Sequence, residues 1–91
     1  MKLSQRIAIY GQVQGVNFRA CLAQEANNLG LTGWVRNRRE GWVEATLQGK
    51  PAAVAALISW ARRGPIAARV AKVEVYEDQG SYPDFRRLPT L

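Results

Sequence analysis

The 91-residue chain has no histidine, one cysteine and one methionine, and its acidic side chains number seven against thirteen basic ones. Without histidine, the side chain that most often moves protons near neutral pH is missing, so imidazole-based acid–base catalysis is excluded. The single thiol, Cys21, cannot form an internal disulfide, and the fold therefore needs no oxidising compartment. Within an apolar helical pattern Cys21 reads as a small buried hydrophobe, and the sequence offers no partner to activate it as a nucleophile. No apolar run approaches the ~20 residues needed to span a bilayer. The N-terminus, Met-Lys-Leu-Ser-Gln-Arg-Ile-Ala-Ile-Tyr, lacks the apolar core and cleavage site of a signal peptide. These absences predict a cytoplasmic protein without a membrane partner, and 47% hydrophobic content predicts one domain over residues 1–91.

What is abundant is positive charge. The formal net charge is +6, and ten of the thirteen cations are arginine. Such a balance favours anionic partners, and guanidinium suits bidentate phosphate or carboxylate contacts better than ammonium does. Charge alone does not choose among phosphates, acidic metabolites and nucleic acid.

Hydrophobic periodicity orders the chain. Ile7, Ile9 and Val13 fall at even spacing from Arg6 to Val13, as in a half-buried strand. Phe18, Cys21, Leu22, Ala26 and Leu29 recur at three and four, the stripe of a helix from Phe18 to Leu29 that Gly30 closes. Thr32–Arg38 and Trp42–Gln48 read as a hairpin around Arg38-Arg39-Glu40-Gly41, the second strand burying Val43, Ala45 and Leu47. Pro51 opens a second helix with Val54, Leu57, Ile58 and Ala61 on its apolar stripe, stopped by Gly64-Pro65. Val70–Tyr76 is a fourth strand with Ala71, Val73 and Val75 alternating, and Asp84–Leu88 predicts a short fifth strand at an edge. The order βαββαβ matches an α+β, ferredoxin-like sandwich: an antiparallel sheet with two helices on one face.

That order brings distant residues together. The first and second strands run parallel with the third inserted between them, because the crossover helix returns the chain before the second strand begins. Their carboxyl ends then share one sheet edge, which places the Gln14–Arg19 loop and Asn37 at one crevice. The loop sits at the N-terminus of the first helix, where unpaired N–H groups and the helix dipole favour an anion by roughly 0.3–2 kcal/mol. Gly15 lets the backbone turn and approach a ligand closely. Arg19, unhelpful to a helix start on electrostatic grounds, makes sense as a ligand for a bound anion.

The stretches Gly11-Gln12-Val13-Gln14-Gly15-Val16-Asn17-Phe18-Arg19 and Leu29-Gly30-Leu31-Thr32-Gly33-Trp34-Val35-Arg36-Asn37, followed by Gly41-Trp42-Val43-Glu44, resemble the acylphosphatase family, whose signature blocks carry G-x-V-Q-G-V-x-F-R and G-x-V-x-N. The likeness runs from about Tyr10 through Val75. It implies a hydrolase that uses no metal and no cofactor, cleaving small-molecule acyl phosphates to carboxylate and inorganic phosphate, the latter also an inhibitor. By the same resemblance Arg19 and Asn37 are the catalytic residues: Arg19 binds the phosphoryl group with loop amides from Gln14, Gly15, Val16, Asn17 and Phe18, and Asn37 orients the attacking water. The proton goes to the substrate's own phosphate oxygen. Asn17 stands at a position often filled by glycine or an aromatic, and the Phe85-Arg86-Arg87-Leu88 segment follows the family only loosely.

The residues fit that chemistry independently. No carboxylate lies inside either block, so no general base is at hand, and an acyl phosphate has a good leaving group that positioning and charge can serve. No Gly-Lys-Ser/Thr follows the loop, so it is not a nucleotide P-loop. Two rival readings share the fold. One is an RNA-recognition domain, with Tyr10 and Trp42 as stacking residues, but Glu44 stands where a phosphate-tracking surface wants a cation, and no nucleic-acid partner is expected. The other is a domain that binds phosphate without turnover. Trp34, Trp42, Trp60 and Phe18 read as packing residues, Arg36, Arg38 and Arg39 as solvated hairpin surface. Nothing marks an oligomerisation face, so a monomer is expected.

Overall fold

The computed structural model describes residues 1–91. Strand β1 (Leu3–Gln12) alternates as its sequence dictates: Ile7 and Ile9 are fully buried, while Arg6 and Tyr10 face the open side of the sheet. Gly15 then turns the chain with φ 74°, and Asn17 follows in the left-handed region at φ 64°. Helix α1 (Phe18–Asn28) buries Phe18, Leu22 and Ala26, a stripe at spacing four. Cys21 lies on the flank of that stripe and is half-buried, so it is not the core thiol its spacing predicts. Leu29 caps the helix and Gly30, at φ 71°, ends it.

The hairpin of β2 (Thr32–Asn37) and β3 (Val43–Gly49) pairs in the register Val35↔Ala45 and Asn37↔Val43. Helix α2 (Pro51–Ala61) starts with proline, whose missing N–H costs nothing there, and buries Val54, Leu57 and Ala61. Strand β4 (Arg69–Glu77) pairs antiparallel with β1, and β5 (Phe85–Arg87) pairs with β2. The strand order is β4-β1-β3-β2-β5, so β1 and β2 are parallel with β3 between them, as the ferredoxin-like reading requires. The core lies between this sheet and the two helices, and each fully buried Ile, Leu or Phe there is worth roughly 1.5–3 kcal/mol.

Two details depart from expectation. The sheet is mixed, because β5 runs parallel to β2. The chain leaves β4 at the end opposite the site, so the tail crosses to the far edge and ascends beside β2; Leu88 N–H donates to the Val35 carbonyl and Leu91 N–H to that of Asn37, at 2.8 and 3.1 Å. In β4 the alternation Ala71-Val73-Val75 does not define the core face. A bulge opposite Tyr10/Gly11 shifts the register at Ala71, so Val70 joins Val73 against the core and Ala71 is exposed, while Val75, opposite Ile7, keeps the face of Val73 but stays 39% exposed on this edge strand.

Candidate active site

The carboxyl ends of β1 and β2 meet in a pocket of about 190 Å³. One wall is the loop after β1 and the first turn of α1. There the backbone N–H groups from Gly15 to Ala20 have no partner in the chain, and the first helical bond runs from Cys21 N–H to the Asn17 carbonyl at 3.1 Å. Asn17 makes no capping bond with its side chain, so these N–H groups stay free. The opposite wall is Asn37, the last residue of β2. Arg19 and Asn37 line this one pocket, and neither side chain has a hydrogen-bond or ion-pair partner.

The loop residues divide their labour. Gly15, Asn17 and Phe18 line the pocket, whereas Val16 is half-buried and packs against the core, anchoring the loop from beneath. Phe18 is 2% exposed; its ring meets Trp60 edge-on at 5.5 Å, fixing where α1 begins. Gly64, at φ 68°, lies against that ring, and a Cβ there would come within 2.5 Å of it. The Gly64-Pro65 break thus serves the site as well as ending α2. Gln14 also lines the pocket, but its amide nitrogen is engaged. It donates to the Arg38 carbonyl at 2.7 Å and to the Trp42 carbonyl at 2.9 Å, tying the loop to the hairpin that carries Asn37.

One charged lining residue escaped the sequence reading. Arg87, on β5, reaches the pocket and has no acidic partner, so two unpaired guanidinium groups line one small cavity. Placing like charges together is unfavourable unless an anion lies between them. No acidic side chain or thiol lines the pocket, and nowhere do three Cys, Asp or Glu side chains cluster as a metal site would.

The open face of the sheet holds four more cations, Arg6, Arg36, Arg38 and Lys72. Glu44, 8% exposed, is clamped by Arg6 at 3.1 Å and Arg38 at 3.0 Å. Tyr10 stacks on Trp42 with ring centroids 5.4 Å apart, Arg38 lies 5.3 Å from the Trp42 ring and Lys72 5.0 Å from that of Tyr10. Arg36 lies 5.0 Å from the Trp34 ring. The two residues proposed as base-stacking platforms are therefore engaged with each other and with cations of the chain itself. Beyond this face, Asp78 fastens the loop after β4 to β1. Burial pushes its carboxyl up, but bonds from Ser4 and Tyr82 hydroxyls and the Gly80 N–H, with the Arg6 charge, outweigh that and leave it below the ordinary value of 3.8. Burial and the same Asp78 bond push the Tyr82 hydroxyl up.

The acylphosphatase family model matches residues 5–87. The chain belongs to the acylphosphatase family. It is 49% identical over 81 residues to an acylphosphatase of Thiobacillus denitrificans, covering 89% of this chain and 91% of that one. Among solved acylphosphatases, the Coxiella burnetii structure superposes with a TM-score of 0.92 at 35% identity, covering 96% of this chain and 93% of the other. The Bacillus subtilis structure gives 0.90 at 31% identity, with 97% and 99% covered. The ferredoxin-like fold is common to all three. No helix is long and apolar enough to cross a membrane.

Proposed function

We propose that this chain hydrolyses the carboxyl–phosphate bond of small acyl phosphates. The carrying observation is the convergence of two unpartnered polar side chains, Arg19 and Asn37, with a row of free backbone N–H groups in one pocket of a chain belonging to this family. The phosphoryl oxygens lie against the N–H groups of the Gly15–Arg19 turn and the guanidinium of Arg19. Asn37 accepts a hydrogen bond from water and aims its oxygen at phosphorus. The new P–O bond forms as the bond to the acyl oxygen breaks; the carboxylate leaves with that electron pair, and the proton of the water passes to a phosphoryl oxygen. Arg19 and the amides supply the charge that metal ions supply in other phosphoryl-transfer sites, so the reaction uses no cofactor. Inorganic phosphate, the second product, occupies the same cradle and inhibits. The site draws every group from one chain and works as a monomer.

Steady-state hydrolysis of benzoyl phosphate in the presence of chelator tests the reading. Arg19→Ala loses both turnover and phosphate affinity. Asn37→Ala keeps phosphate affinity and loses turnover by about 10²–10³, the usual cost of one preorganised positioning group. Unchanged kinetics in a folded Asn37→Ala variant removes Asn37 from the mechanism. A folded wild-type protein that binds phosphate and turns nothing over leaves the binding-only domain.

A further inference from the structure

The phosphoryl pocket continues into a second depression that the chemistry above does not use. It is a shallow groove of about 440 Å³ along the flank of α1, formed by Ala20, Cys21 and Gln24 and faced by Trp60 and Pro65 from the end of α2 and its stop. Asn17 and Ala20 belong to both cavities, so the groove begins where the cradle ends. We propose that this groove is the acyl-group subsite and that it takes neutral, apolar acyl groups, aromatic rings in particular. The inference rests on the hydrolysis proposed above and deepens it.

Stereochemistry supplies the first argument. In phosphoryl transfer the attacking and leaving oxygens are roughly in line through phosphorus. Helix α1 packs on β2 and β5 and meets α2 on its other side, while α2 packs on β1, β3 and β4. Asn37 and Arg87 therefore stand at the β2–β5 wall and the groove lies at the α2 wall, with the cradle between. Water delivered from Asn37 drives the acyl oxygen out toward Asn17 and the groove.

Composition supplies the second. An indole, a proline ring, a methyl and a thiol offer apolar surface, and the volume lies within the range of small-ligand pockets. Trp60 rests edge-on against Phe18, the residue that opens α1, so the groove wall is fixed relative to the cradle. Glu25 closes the far end and disfavours acyl groups carrying a second negative charge.

Cys21 is the chain's one thiol and a built-in reporter. Its alkylation by N-ethylmaleimide is followed by mass spectrometry in the presence of benzylphosphonate or methylphosphonate, each at saturation determined by calorimetry. Benzylphosphonate slows alkylation by about tenfold or more, consistent with burial of a ring against the groove, and methylphosphonate leaves the rate near that of the free protein. Equal protection by both, or none from saturating benzylphosphonate, overturns the groove assignment while leaving the cradle intact. Failure of both phosphonates and of inorganic phosphate to bind overturns the hydrolysis reading itself. A second variant, Cys21→Phe, fills the groove and lowers the ratio of kcat/KM for benzoyl over acetyl phosphate by about tenfold, an unchanged ratio being the contrary result.

Discussion

Gln14→Met keeps the unbranched stem of the side chain and removes its donor, which isolates the tie between the cradle and the hairpin. Two hydrogen bonds are lost, at 2.7 and 2.9 Å. Neither acceptor is orphaned, since the Arg38 carbonyl keeps the N–H of Gly41 at 3.0 Å and the Trp42 carbonyl keeps that of Arg38 at 2.8 Å. The stability cost therefore sits near the lower end for two neutral bonds, about 1–2 kcal/mol, or a fall in melting temperature of about 4–8 °C for each kcal/mol in a domain of this size. Activity suffers more. Gln14 is the side chain that joins the loop holding Arg19 to the strand ends holding Asn37, and a displacement of about 1 Å between reacting groups costs about 100-fold. Gln14→Glu is worse than Gln14→Met, because a carboxylate then faces two carbonyl oxygens. The assay is kcat/KM for benzoyl phosphate beside a thermal melt. A Gln14→Met protein with wild-type kinetics would show that the cradle holds its position without the tie and refute the reasoning.

Arg87→Ala raises the inhibition constant for inorganic phosphate by about five- to tenfold, a modest factor because the side chain is exposed and solvent screens its charge; an unchanged constant would return Arg87 to the surface. Asn17→Gly stabilises the protein by about 0.5–1 kcal/mol, since Asn17 holds φ 64° with no capping bond to lose, and Asn17→Val destabilises it by about 1–2 kcal/mol; denaturant midpoints in the reverse order would contradict this. Asp78, with its native pKa below the ordinary one, contributes stability that is complete above the carboxylate range and is lost as pH falls through its lowered value. Melting temperatures of wild type and Asp78→Asn accordingly separate at neutral pH and converge at the acid end, and a gap that persists in acid would assign the tie to something other than the carboxylate.

Much of this architecture was legible because it follows from local rules. The stripe in α1, the proline start of α2 and the β2–β3 hairpin are set by spacing and turn chemistry, and the parallel placement of β1 and β2 follows from chain connectivity, which alone brings Arg19 and Asn37 to one edge. The rest depends on partners far away in sequence. Gln14 reads as one more loop residue until the Arg38 and Trp42 carbonyls arrive beside it. Arg87 joins the pocket only because β5 pairs parallel to β2 in one register, Val35↔Arg87, which no periodicity encodes in so short a strand. The bulge that turns Val70 inward in β4 is likewise a property of the pair with β1. Glu44 counted against a nucleic-acid surface as a bare negative charge, and the structure shows it neutralised from both sides, so the ring contacts of Tyr10 and Trp42 are the better ground.

The insertion of β3 between β1 and β2 also governs the order in which the molecule can assemble. β1 finds its neighbours late: Leu3 pairs with Gly49 and Gln5 with Glu77. A nascent chain that has emerged only as far as Asn37 holds both halves of the pocket and no means of joining them, because the strand that spaces them has yet to appear. Closing such loops costs entropy before any pairing repays it, which places topologies of this kind among the slower small domains, folding in about milliseconds to seconds. The pocket is thus a product of the global transition, absent from any early, locally folded fragment, and a growing polypeptide carries no phosphate cradle until its sheet has closed.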